Sequence, residues 1–253
     1  MRQHLVFDLP TRLFHWLFAG LFLTAFLIAK TVDDESLWFN FHSLAGLTLG
    51  FLVTLRIAWG FFGTRHARFS GFALNPKDLI SYFKGIFTGD KRRWAGHNPA
   101  SSWAGATMLV MALGLAITGY LMTAGGDKEA FEDIHELFAN GFIVLVALHV
   151  AGIIIHTVRH QDMIGLSMID GKKTGVPEQQ TIASKKTPYA ILLAGLLALF
   201  CFQLFKNFDS ESRSLQFFGA KLQLGETAKQ KETEHNGSGE NDEATKDDDD
   251  DDD

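Results

Sequence analysis

A single cysteine, Cys201, is present among 253 residues. A lone thiol excludes an intrachain disulfide and any Cys-x-x-Cys-His site for covalent haem; in its hydrophobic run Cys201 reads as a small apolar side chain. A cleavable leader pattern is also missing. Arg12 leads into an apolar run too long for a signal core, with no small-residue cleavage site, so that run is expected to persist as a membrane span. Excess charge of one sign is scarcer than the net value of −6 suggests, because seven terminal aspartates supply more than all of it. What the chain has in quantity is apolar and aromatic surface: 47% hydrophobic residues, 23 Phe and 5 Trp.

Five segments, at 12–29, 42–62, 101–123, 136–158 and 187–205, are each near the ~20 residues that cross a bilayer as a helix. Their interiors carry no Asp or Glu, which weighs against a histidine-lined transporter of a metal ion or proton. Basic residues favour one side. Arg2 and Arg12 precede the first span, Arg65, Arg68, Lys77, Lys84, Lys91, Arg92 and Arg93 fill the second connection, and Arg159, Lys172, Lys173, Lys185 and Lys186 the fourth. The 30–41 and 124–135 turns are acidic, with only Lys30 and Lys128. The positive-inside rule then predicts a cytoplasmic N-terminus and a C-terminal tail outside the membrane. Trp16, Trp59, Trp94 and Trp103 fall at the inner face and Trp38 at the outer.

Histidines interrupt these spans in a pattern. His135 and His149 are fourteen residues apart on one predicted helix, about 21 Å along its axis and only about 40° short of four full turns. His15 lies fourteen residues below the outer end of the first span near Ala29, and His42 opens the second span at the outer surface. Two same-depth pairs follow, His15 with His149 inside and His42 with His135 outside. Each level offers two imidazoles and no Cys or carboxylate set to complete a tetrahedral zinc shell. The pattern matches two six-coordinate haems in a four-helix bundle, each iron held axially by two helices. His156 sits on nearly the same stripe at the far interface, where an anchoring role is expected.

Arg56 follows His42 by fourteen residues. It stands at the inner-pair level either to pair with a haem propionate or to snorkel to the interface. Gly46 and Gly50 admit either a porphyrin or a neighbouring helix. Leu79, Ile80, Phe83, Ile86 and Phe87 line one face of a stretch beginning at Lys77, which is expected to lie on the cytoplasmic leaflet. His97 and Asn98 come next, positioned to contact a quinone, although Asn98 is equally suited to capping the third span. That span has no histidine and would form a wall of the bundle through Gly105, Gly114 and Gly119. The fifth has neither charge nor imidazole and reads as an anchor or contact helix.

The expected architecture is therefore all-α: a polytopic membrane protein with a four-helix bundle binding two haems plus a fifth transmembrane helix. Its expected units are a di-haem domain over 1–180, the fifth helix over 181–208 and a disordered acidic tail over 209–253.

Several motifs resemble the bacterial cytochrome b561 family, which includes the b-type cytochrome subunits of nickel-iron hydrogenases. They are Asp8-Leu-Pro-Thr-Arg-Leu-Phe-His15-Trp16, Phe41-His42-Ser-Leu-Ala-Gly46, Arg56-Ile-Ala-Trp-Gly60-Phe-Phe-Gly63-Thr-Arg65-His66-Ala-Arg68-Phe69, Gly96-His97-Asn98-Pro99 and the His135 to His149 span. The resemblance covers about residues 5–175. It implies two non-covalent haem b groups, the outer on His42 and His135 and the inner on His15 and His149. It also implies a quinone site near the inner haem, with Asn98 at the family's polar position. His66 matches a recurrent pattern, for which only a surface or lipid-facing role is expected. The implied function is electron transfer between the quinone pool and a periplasmic redox protein or cytochrome c, as a subunit of a quinone-linked oxidoreductase rather than a stand-alone enzyme. A quinone-linked ferric reductase is the enzymatic alternative, and no nucleic-acid partner is expected.

Overall fold

The computed structural model describes residues 3–225 except 91, 93 and 162. Arg2, Lys91, Arg93 and the seven aspartates, all used above for charge, lie outside the described residues.

Five helices are long and apolar enough to cross a membrane: α1 (Leu9–Thr31), α2 (Asn40–Phe62, entered through a 3-10 turn at Leu37–Phe39), α4 (Pro99–Thr123), α5 (Lys128–His160) and α7 (Thr187–Asn207). They match the five predicted spans and run further at several ends because of capping. Asp8 Oδ1 accepts the Thr11 amide at 2.8 Å and Pro10 sits in the first turn of α1. Asp127 Oδ1 accepts from Ala130 N at 3.2 Å, so α5 starts eight residues before its apolar run.

Four of these helices share one core. Phe22 of α1, Leu49 and Val53 of α2, Ala112 of α4 and Phe142 of α5 meet at mid-height. Phe142 is 1% exposed. Helix α7 packs outside the four, against α1 and α2, through Leu193 and Leu197 on Leu52 and a stacked Phe51–Phe200 pair at 4.2 Å. It is thus a contact helix. The bundle exterior is apolar as well: Val110, Leu137, Leu148 and Val158 are all exposed. Water would penalise such a surface and a bilayer does not.

The end carrying His15 and His149 is closed by short elements. β1 (Gln3–Leu5) pairs antiparallel with β2 (Lys172–Thr174), and Val6 N and Phe7 N both donate to Gly171 O. Gly171 has φ 82°, and a Cβ there would stand 2.6 Å from Phe7 O, so glycine is required. Short α6 (Ser167–Asp170) leads into that turn. Amphipathic α3 (Pro76–Thr88) forms where the apolar spacing predicts; it buries no residue, with Ile80 and Phe87 exposed. That suits a helix lying on lipid.

At the opposite end the structure corrects the expected tail. β3 (Phe208–Asp209), β4 (Ser214–Phe217) and β5 (Ala220–Gln223) form an antiparallel sheet. Its Leu215 and Leu222 are fully buried with Leu224 against Leu44 and Leu204. Polar composition concealed an alternation: Leu215 and Phe217, then Leu222 and Leu224, point one way between polar neighbours. The expected tail therefore begins no earlier than residue 226, and 226–253 lie outside the described residues.

Candidate functional site: two imidazole pairs

The outer pair joins the first turns of α2 and the outer third of α5. The His42 and His135 ring centroids are 6.1 Å apart with planes at 70°. His42 Nδ1 lies 2.9 Å from Ala25 O. A carbonyl only accepts, so Nδ1 carries the proton and Nε2 keeps a lone pair. His135 Nδ1 lies 2.8 Å from Thr118 Oγ1, whose own proton goes to Gly114 O at 2.9 Å. The hydroxyl is left to accept from Nδ1–H, and His135 Nε2 too is free to ligate.

The inner pair joins α1 and α5. His15 and His149 have centroids 6.5 Å apart with planes at 58°. Neither ring makes a hydrogen bond among the described residues. Trp16, beside His15, donates from Nε1 to Met168 O at 2.9 Å, fixing α1 to the closing elements. All four imidazoles are only half-buried.

These separations test the expected cofactor. A metal bound by two opposed imidazoles needs centroids ~6 Å apart, from roughly 2 Å for each metal–nitrogen bond plus the ring radius. Both pairs meet that. Among the described residues no group of three or more His, Cys, Asp or Glu is placed to hold a metal ion. Two imidazoles at each level without further protein ligands suit a haem iron, which His42 and His135 would hold at one level and His15 and His149 at the other. Gly46, one turn beyond His42, has nothing within 4 Å of its Cβ position. Gly50 differs: a Cβ there would lie 2.9 Å from Ala116 Cβ, so it serves close contact between α2 and α4.

Arg56 does not snorkel. It is 4% exposed, inside the bundle near the inner pair. Nη2 donates to Ala67 O at 3.1 Å, the guanidinium carbon lies over Phe14 and Phe69 at 5.7 and 5.4 Å, and Nη1 is buried with no hydrogen-bond partner. A buried, unpaired guanidinium N–H costs free energy unless an acceptor meets it, and a haem propionate is one. The loop motif explains the pose. A Cβ on Gly60 would stand 2.3 Å from the Phe69 ring, so glycine at 60 lets Phe69 cover Arg56 while Ala67 supplies the carbonyl.

His97 and Asn98 sit at the same end. His97 is packed between Phe7 and Phe72, at 5.7 and 4.9 Å. Burial, then the positive charges of Lys173 and Arg56 and the neighbouring His66 and His149, pull its pKa down to about 3, so it is neutral near pH 7. Asn98 caps α4: Oδ1 accepts from Ser101 N at 2.8 Å and Nδ2 donates to Tyr82 Oη at 3.1 Å. Desolvation raises the Tyr82 pKa. His66 is half-buried, and its Nε2 meets Gln180 O at 2.6 Å, which ties the loop to the closing segment. Burial lowers its pKa. His156 stacks on His160 at 4.3 Å, away from both pairs.

Sequence reasoning missed Thr118, the Ala25 carbonyl and a network on Asp8. Asp8 is fully buried; besides capping α1, it accepts from Thr64 Oγ1 at 2.5 Å and from Trp59 Nε1 at 3.3 Å. Only the Asp-x-Pro start of α1 signalled it. Sequence reasoning missed the mid-level aromatics too. Phe142, seven residues from both His135 and His149, packs tilted on Phe22 at 4.3 Å between centroids, so packed phenyl rings lie between the two levels.

The chain spans 63% of the length of two curated relatives, 27% identical over 153 residues and 51% of this chain. Both are described as the probable Ni/Fe-hydrogenase 1 B-type cytochrome subunit, from Escherichia coli strain K12 and Escherichia coli O157:H7. No solved structure matches. The model of the prokaryotic cytochrome b561 family matches residues 6–171, which takes in all four paired histidines and Arg56. With a membrane-length helical bundle around those pairs, the chain belongs to the prokaryotic cytochrome b561 family.

Proposed function

We propose that this chain is a di-haem b-type cytochrome of the bacterial inner membrane. It passes electrons across the bilayer between the quinone pool and a periplasmic redox partner. The observation that carries this is the pair of imidazole separations, 6.1 and 6.5 Å, set fourteen residues apart along α5. His42 and His135 would hold the outer haem b, His15 and His149 the inner. Bound there, the haems supply one-electron redox chemistry.

The protein's own contribution is to aim nitrogens, bury charge and exclude water. Ala25 O and Thr118 Oγ1 fix the outer tautomers. Arg56 Nη1 offers an inner propionate a charge-assisted hydrogen bond. His97 and Asn98 stand for the quinone contacts: Tyr82 Oη accepts from Asn98, which leaves the phenol proton to donate to a quinone carbonyl. The relatives' name points to a hydrogenase as the periplasmic partner.

Haem extracted per chain and the ferrous spectrum test the reading. Two b-type haems per chain are expected, with His149→Ala losing one spectral component and His42→Ala the other. A haem-free protein, or both haems retained in either variant, would overturn it.

A further inference from the structure

The basic loop after α2 has a second face that Arg56 does not use. Arg65, Arg68, Ser70 and Gly71 line a cavity of about 370 Å³ open to the surface. Each guanidinium is held by one backbone carbonyl, Arg65 Nη1 donating to Gln179 O at 2.9 Å and Arg68 Nε to Gly63 O at 2.7 Å. Neither meets a carboxylate among the described residues, so most of their N–H donors remain available. Gly71 keeps the cavity wall close: a Cβ there would lie 3.0 Å from Arg65 O.

Two neighbours fix the level of this cavity in the membrane. Phe61 and Phe62, in the last turn of α2, are 64% and 82% exposed, as side chains facing acyl chains would be. Just past Gly71, α3 lays exposed Ile80, Phe83 and Phe87 along the surface, which marks the headgroup boundary. The arginines, three to seven residues past these exposed rings, therefore stand at the headgroup level.

We propose that this cavity binds the phosphate of an anionic phospholipid. The two guanidiniums grip the phosphate oxygens and Ser70 Oγ donates a further hydrogen bond. The acyl chains lie against Phe61 and Phe62. Nothing in this site depends on haem, so it stands or falls apart from the electron-transfer reading.

The test uses the full-length protein in zwitterionic detergent, with native mass spectrometry reading the bound lipid. Phosphatidylglycerol should be retained in preference to phosphatidylcholine of the same chains. Arg65→Gln with Arg68→Gln should weaken retention by roughly fivefold per arginine. Ser70→Asp, which leaves both carbonyl bonds intact, should weaken it comparably and guards against a double variant that fails to fold. Arg92→Gln, at an exposed arginine stacked on Trp94, should change nothing. Equal retention of the two lipids, or undiminished retention in the double variant and Ser70→Asp, would overturn the proposal. Displacement by millimolar inorganic phosphate would assign the cavity to a free anion and overturn it as well.

Discussion

The two histidine levels are built on different physical plans. At the outer level each ring is oriented from behind, by Ala25 O and by Thr118 Oγ1. That leaves Nε2 of both rings unprotonated and able to form a ligand bond. At the inner level the rings have no such partners among the described residues. They belong instead to the end of the bundle where Arg56 is buried with its Nη1 unpaired and where His97 packs, neutral, between Phe7 and Phe72. Hydrogen bonds orient the outer rings, while a buried cation, Arg56, stands at the end that holds the inner ones. A nearby fixed cation disfavours the oxidised, more positive form of a haem, so under the proposed di-haem reading an inner haem near Arg56 would differ in potential from an outer one.

Under the proposed reading the largest effects come from removing a paired histidine, and how selective each haem loss is measures how separate the levels are. Beyond the ligands, Arg56→Gln should act on the inner level alone. The expected outcome in a spectroelectrochemical titration is a lower inner midpoint potential with the outer unmoved; equal shifts in both would dissolve the contrast. Thr118→Val should do the converse. Losing an orienting hydrogen bond behind a metal-bound histidine costs about 10–100-fold in metal affinity, so the outer haem should be extracted more readily while the inner one stays.

A smaller effect is the acid response of the inner end. His97 has a folded pKa of about 3, below the ordinary histidine value of 6.5. Between those values the unfolded chain binds the extra proton and the folded chain does not. The stability from keeping His97 neutral is therefore complete above pH 6.5 and is lost as pH falls towards 3. His97→Phe, which keeps an aromatic ring between Phe7 and Phe72, should flatten thermal stability between pH 6 and 4. An unchanged pH profile would remove His97 from the account.

The histidine pairing was legible in the sequence because helix geometry turns a fourteen-residue spacing into a depth and a face. So were the five spans and the surface helix, which depend on period and length alone. Thr118 was not legible, because its contact with His135 depends on how α4 and α5 rotate against each other, and the intervening Ala124–Asp127 turn does not encode rotation. Arg56 was half legible. Spacing gave its depth, whereas its burial depends on a loop that returns Ala67 and Phe69 to the helix they left. The sheet over 208–223 escaped notice because its buried leucines alternate with polar residues, which leaves the stretch polar in composition.

The antiparallel register of Gln3–Leu5 with Lys172–Thr174 carries a consequence for biogenesis. The partner of β1 emerges from the ribosome only after α1, α2, α4 and α5 have all been made. During synthesis the first helix must therefore enter the bilayer without its clasp. The fastening at that end is among the last contacts to form, and it records that four helices have already been delivered.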